Sequence, residues 1–304
     1  MSKLQWIAAE LHTHTMHSDG SFTPETLVSA AKTKGFDALA ITDHNCIASV
    51  HQVQQQAKKA GIAVIPGMEL TTFYGHVLSI GTKVYLEWRD ARKQNGLAMM
   101  AERIHDAGGL CGIAHPFKLG GWMCTGCYMD YAMDALASVD YIEVWNGEKM
   151  HQNPFNRRAY RWWLSLLDQG MRLPATAGRD WHNGQDAMGD LHAATYLGIP
   201  QEEAVCAEAL LQSIQKGRVA VTYGLLPILR VKKGNDIHVQ IEKGRGGKET
   251  LRMRLLAPKG KLVTEMSVTA GDEYHLHIQN FERLHAEVWD GEELIGFTSP
   301  IYAE

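Results

Sequence analysis

The chain has 304 residues, 45% of them hydrophobic and 21% charged, and its 34 acidic and 30 basic residues give a net charge of −4. That balance is ordinary for a globular protein, and no run approaches the roughly 18 apolar residues of a membrane span. A mildly acidic chain also carries no electrostatic footprint for nucleic acid. The opening MSKLQWIAAELHTH lacks a basic stretch, an apolar core and a small-residue cleavage site, so a cytoplasmic location is the expectation. Five dispersed cysteines (Cys46, Cys111, Cys124, Cys127 and Cys206) argue against a disulfide framework. Cys124 and Cys127 form a C-x-x-C that no second pair accompanies, so bystander thiols are favoured over a zinc or redox site.

In chain order, IAAELHTHT reads as a strand, PETLVSAAKTKG as a helix closed by Gly35, and DALAITDH as a second strand. A helix over residues 47–60 stops at Gly61, and IAVIPGMEL, HVLSIG and KVYLEW read as further strands. A helix over about 90–107 precedes the strands GLCGIAHP, DYIEVWNG and LPATAGRD, with further helices over about 154–170 and 201–216. Strands alternating with helices predict βα units and a parallel sheet with enough strands for a barrel.

Near residue 224 the pattern changes to short alternating segments separated by Gly, Asn or Asp, from ILRVKK to ELIGFTS. These predict two domains, an α/β unit over 1–224 and a small all-β sandwich over 225–304. Residues 230–261 carry ten Lys or Arg against three acids, and residues 262–304 carry nine acids against one Arg. The expectation is complementary cross-strand pairing rather than a basic patch for an anionic partner.

The chain has 15 histidines, and histidine is the commonest metal ligand. On a strand, residues two apart share a face, so His12 and His14 can point together from the end of the first strand, with Asp19 in the following loop. The pattern recurs at later strand ends in His44, Glu69, His76, His115, Asp180 and His182. Catalytic residues of a βα barrel converge on the C-terminal face of its strands. These nine nitrogen and oxygen donors exceed what one ion needs, and imply two or three divalent ions. Ligands without thiolate suit zinc, manganese or iron.

The ordered motifs HTHTxHSDG, TDHN, PGxE, a later HP and a final G-x-D-x-H resemble the PHP family, named for polymerase-associated and histidinol-phosphatase domains, over roughly residues 10–224. IEVWNG, the helix after it and GRVAVTYG look more like the carbaryl-hydrolase-like metallohydrolase branch. The resemblance implies a distorted (β/α)7 barrel holding two or three metal ions. Carried over by motif, His12, His14, Glu69 and Asp180 would hold one ion, and Asp19, His44 and His182 a second. His76 and His115 would hold a third, with Glu69 bridging. Related sequences usually read Gly-Ser-Asp where this chain has Gly178-Arg179-Asp180, so Arg179 is either a phosphate clamp or an ion-pair partner at the mouth.

Around that set, His17 is a candidate proton donor and Asp43 a candidate partner for an imidazole. Lys118, Asn146 and Arg179 are candidate substrate contacts. The expected activity is metal-dependent hydrolysis of a small anionic phosphoester by a metal-activated hydroxide. Carbamate, ester or amide hydrolysis at the same site is the alternative, and a catalytically silent binding module is the third reading.

Overall fold

The structure is a computed structural model that describes residues 3–119, 129–185, 192–232 and 236–303. Cys124 and Cys127 lie outside the described residues. The chain opens with β1 (Leu4–Glu10), α1 (Pro24–Thr33), β2 (Ala38–Ala40), α2 (Val50–Ala60) and β3 (Ala63–Ile65). Next come β4 (Gly67–Thr72), β5 (Gly75–Ile80), α3 (Gly96–Asp106), β6 (Leu110–Ile113), β7 (Tyr141–Asn146), α4 (Pro154–Asp168) and β8 (Ala175–Gly178). The α/β part ends with β9 (Ala194–Pro200), α5 (Ala207–Gln215) and β10 (Val219–Thr222). The β-rich remainder comprises β11 (Leu226–Lys232), β12 (Asp236–Glu242), β13 (Thr250–Ala257), β14 (Lys261–Thr269), β15 (Glu273–His277), β16 (Arg283–Asp290), β17 (Glu293–Thr298) and β18 (Ile301–Tyr302).

Local chemistry sets several of these boundaries. Thr23 and Thr26 form a reciprocal capping box at the start of α1, with Pro24 in the first turn. The α2 helix ends on Gly61 at φ 70°, a left-handed position that glycine adopts without steric cost. Asn153 caps α4 by accepting from the amides of Phe155 and Asn156. The expected third strand breaks between β3 and β4 at Pro66, which has no N–H to give to a ladder. KVYLEW is not a strand: Val84 is 54% and Tyr85 44% exposed, and no neighbouring strand pairs with the segment among the described residues.

The expected barrel does not close. One sheet runs β14-β13-β16-β17-β10-β9-β1-β2-β3, with β18 beside β16, and a second runs β4-β5-β6-β7-β8. The two sheets touch through isolated bridges at Thr13↔Trp181 and His44↔Glu69. Nor are the strands uniformly parallel, since β9 pairs antiparallel with both β1 and β10, and β5 pairs antiparallel with β4 and β6.

β17 pairs antiparallel with β10, so the C-terminal strands extend a sheet of the α/β part. Phe297 of β17 packs on Trp145, Tyr160 and Trp163, with ring centroids 6.4, 4.9 and 5.5 Å away. The remaining strands β11-β12-β15 form a third sheet. Arg254 of β13 and Glu265 of β14 pair across strands as expected, at 2.6 Å, and Lys248, just before β13, meets Asp290 of β16 at 2.7 Å. No helix among the described residues is long and apolar enough to cross a membrane.

Candidate metal centre

The seam between the two large sheets is where the histidines gather. The stretch after β1 is pinned to Trp181, whose N–H donates to the His12 carbonyl at 3.0 Å and whose carbonyl accepts from His14 N–H at 2.9 Å. Thr13 faces the other way, its hydroxyl donating to the Ala40 carbonyl at 2.7 Å. This alternation turns His12 and His14 to one side. His44 is held against β4 by its bridge to Glu69. His115 and Asp180 adopt positive φ, 22° and 52°, after β6 and β8. Such conformations cost non-glycine residues on the order of 1–3 kcal/mol each and cluster at functional sites.

Glu69 is the hub. Its carboxylate lies 3.3 Å from His12 Nε2, 3.5 Å from His14 Nε2, 3.0 Å from His44 Nδ1, 2.9 Å from His76 Nδ1 and 3.1 Å from His115 Nε2. Asp180 lies 3.0 Å from His14 Nε2 and 3.5 Å from His12 Nε2 and His182 Nδ1. Asp19 lies 3.1 Å from His182 Nε2 and 3.5 Å from His44 Nε2. All nine expected donors therefore converge. Eight of them fall into the overlapping groups His12-His14-Glu69-Asp180, His14-Asp19-His44-His182 and His44-Glu69-His76, and His115 groups with His12 and Glu143, each set compact enough to surround an ion.

The donor chemistry fits metal ions. His12 Nε2, both nitrogens of His14, Glu69 Oε2 and His76 Nε2 are buried without a hydrogen-bond partner. Buried polar atoms left unpaired cost about 1–3 kcal/mol each, and a concentration of them at one point is what a ligand would satisfy.

Electrostatics agree. Burial pushes the Glu69 carboxyl up, but the charges of His12, His76 and His44 with the hydrogen bond of His115 outweigh it and hold the group well below the usual range. Asp180 is held low in the same way, against its burial, by His12, His14 and Lys118. The partly exposed Asp19 falls to about 2, where His182 and His44 overcome burial. Burial lowers His14, whereas for His12 it is outweighed by Glu143, Glu69 and Asp180, which raise it. The carboxylates are thus ionised across the neutral range, as metal ligands must be.

The other sequence candidates divide. Lys118 reaches the cluster, with Nζ 2.5 Å from Asp180 Oδ2 and 3.1 Å from Asn146 Oδ1. Asn146 is buried and also donates to Glu143 at 3.1 Å. Arg179 is buried and lies over the Trp181 ring, 4.4 Å from the centroid. Among the described residues Asp43 meets no imidazole. It accepts from Thr15 N at 2.7 Å, Thr15 Oγ1 at 2.8 Å and Ser18 Oγ at 2.6 Å, and from the Ser49 hydroxyl, so it clasps the loop that carries Asp19. His17 lies in that loop with its amide on Thr15 Oγ1, and its ring joins none of the cluster contacts among the described residues.

Two buried acids were not anticipated. Glu143 accepts from His12 Nδ1 at 2.9 Å, which turns Nε2 toward the cluster, and from the His115 amide at 3.0 Å. Glu10 takes the amides of His12 and Arg179 on one oxygen, at 3.0 and 2.9 Å, tying together the two segments that carry His12 and Asp180. Burial pushes its pKa up to about 7, against those hydrogen bonds and the Arg179 charge. Both acids interrupt apolar strand runs, IAAEL and YIEVW, which is the signal that would have found them.

The PHP-domain family model matches residues 10–145, the stretch that carries most of this cluster. An uncharacterized protein of Methanocaldococcus jannaschii is 30% identical over 121 residues, 36% of this chain and 68% of that protein. This chain belongs to the PHP-domain family. Among PHP relatives, the 5′-3′ exoribonuclease Rnm of Salmonella typhimurium is 32% identical over 111 residues, 32% of this chain and 38% of the enzyme. The 3′,5′-nucleoside bisphosphate phosphatase of Chromobacterium violaceum is 30% identical over 76 residues, 24% of this chain and 27% of the enzyme. The chain thus spans well under half the length of these two enzymes. In fold it resembles a two-domain Bacteroides vulgatus protein containing a predicted PHP-like metal-dependent phosphoesterase. The TM-score is 0.59 at 17% identity, over 98% of this chain and 96% of that one. The resemblance to a carbaryl-hydrolase branch gains no support from these relatives.

Proposed function

We propose that this PHP protein is a metal-dependent phosphoesterase acting on a small phosphorylated molecule. The observation that carries the reading is the buried seam where five imidazoles reach Glu69 while several of their nitrogens, and one Glu69 oxygen, make no hydrogen bond. In this reading His12, His14, Glu69 and Asp180 hold one ion, Asp19, His44 and His182 a second, and Glu69, His76 and His115 a third. Divalent ions of the zinc, manganese or iron class supply such a site with Lewis-acid charge for a phosphoryl group and a nucleophile at neutral pH.

The chain's own groups do the rest. Glu143 fixes the His12 tautomer, and Glu10 sets the spacing of the backbones that carry His12 and Asp180. Lys118, partly exposed beside Asp180, offers its ammonium to an incoming phosphate oxygen. His17, on the loop between His14 and Asp19, would give a proton to a leaving alkoxide. We assign this chemistry to residues 1–224 and a supporting role to residues 225–304.

A second reading has support from a relative, since Rnm acts as an exoribonuclease, and a 5′ nucleotide end presents the same phosphoester. The test is a hydrolysis panel with the full chain loaded separately with zinc, manganese or iron, offered small phosphate esters, short oligoribonucleotides and aryl carbamates. Turnover of the small phosphoesters is expected. Turnover confined to oligoribonucleotides would replace the substrate class, and turnover confined to carbamates would overturn the phosphoesterase reading.

A further inference from the structure

The C-terminal β region carries its own histidine pattern, Asp236-x-His238-x-Gln240 on β12 and Glu273-x-His275-x-His277 on β15. The two strands pair antiparallel with Asp236 opposite His277, His238 opposite His275 and Gln240 opposite Glu273. Alternate residues share a face, so all six side chains stand on one side of the sheet while Ile237, Val239 and Ile241 fill the core on the other. At the end of this ladder the acid and imidazole satisfy each other, His277 Nδ1 lying 2.8 Å from Asp236 Oδ1.

The central pair differs. The His238 and His275 rings stack with centroids 4.8 Å apart. His238 is only 11% exposed, and both of its ring nitrogens are buried without a hydrogen-bond partner. Its Nε2 lies 3.5 Å from Glu273 Oε2, and one donor atom each from His238, Glu273 and His275 falls within 4.8 Å of the others. We propose that His238, Glu273 and His275 form a peripheral site for a divalent transition-metal ion of the zinc class, separate from the cluster around Glu69.

The strands set the separation of these donors, and rotation of exposed side chains completes the geometry. An ion about 2.0–2.1 Å from its nitrogens keeps tetrahedral donors about 3.3 Å apart. The exposed Glu273 and His275 must therefore swing inward while the buried His238 stays still. Water fills the fourth position. Two imidazoles and one carboxylate favour zinc, copper(II) or nickel over magnesium or calcium, which take all-oxygen shells.

Equilibrium dialysis of the full chain against zinc alone, with elemental analysis, tests this site. The wild-type chain is expected to bind one equivalent that His275→Ala and Glu273→Gln lose or hold at least about 10-fold more weakly. Asp180→Ala is expected to keep that equivalent. His275 and Glu273 are exposed, so neither substitution threatens folding. Zinc stoichiometry and affinity equal to wild type in both variants would overturn the site and leave the face a simple cross-strand ladder.

Discussion

Around Glu69, imidazoles and carboxylates are buried together at a seam between sheets, on strand ends that include two strained residues. On β12 and β15 the same residue types stand on a regular sheet face, where Asp236 and His277 satisfy each other across strands and solvent reaches most of the rest. At His285 an imidazole is sealed beside Trp163 with no acceptor, and burial, reinforced by Arg283 and opposed by Asp168, pushes its pKa down to about 3. Histidine content alone therefore says little. What separates a metal centre from a core histidine is how many buried charges of opposite sign converge on it.

If the C-terminal strands are part of the α/β core rather than an attachment, removing residues 225–304 has the largest effect. It strips β17 from β10 and takes Phe297 from Trp145, Tyr160 and Trp163. The 1–224 fragment is expected to lose cooperative thermal unfolding, and Phe297→Ala alone to cost about 3–5 kcal/mol in denaturant titration. A fragment that unfolds cooperatively and retains metal would show the two regions to be independent.

At the seam, Asp180→Ala is expected to lower kcat by about 10²-fold or more with unfolding still cooperative. Retained activity would take Asp180 out of the cluster. Glu143→Gln leaves the ligands in place but loosens His12, and a 10- to 100-fold loss of metal affinity or activity is expected. An unchanged metal affinity would reduce Glu143 to a packing residue.

The smallest effect distinguishes the core histidine from the other two kinds. The unfolded chain takes up a proton on His285 below about pH 6.5, whereas the folded chain refuses it until about 3. Stability therefore falls as pH drops through that window, by about 2 kcal/mol at pH 5. His285→Leu is expected to flatten that part of the pH profile in urea titrations. An unaltered slope would mean that other groups account for the acid loss.

Much of the site was legible because its residues lie where period-two strands run out into loops, so H-x-H, Asp43-His44 and G-R-D-x-H marked strand ends before any contact was known. The side on which neighbours fall was harder to read. Asp43 and Arg179 adjoin cluster residues, yet point to a loop clasp and to Trp181. Glu10 and Glu143 were hidden inside strands that read as apolar. The barrel expectation failed at β3–β4, where Pro66 breaks the strand, and at the β8–β1 junction, where closure depends on pairing between distant segments that no local pattern encodes. KVYLEW has strand-like residues and lacks a partner strand.

The central claim is that the buried donors around Glu69 hold divalent metal ions. Elemental analysis of the 304-residue chain in a His275→Ala background, with and without Glu69→Gln, tests it most directly. The account predicts two or three transition-metal ions per chain with Glu69 present, and fewer in the Glu69→Gln variant while it stays folded. Equal metal content in the two proteins, or none in either after loading, would contradict it.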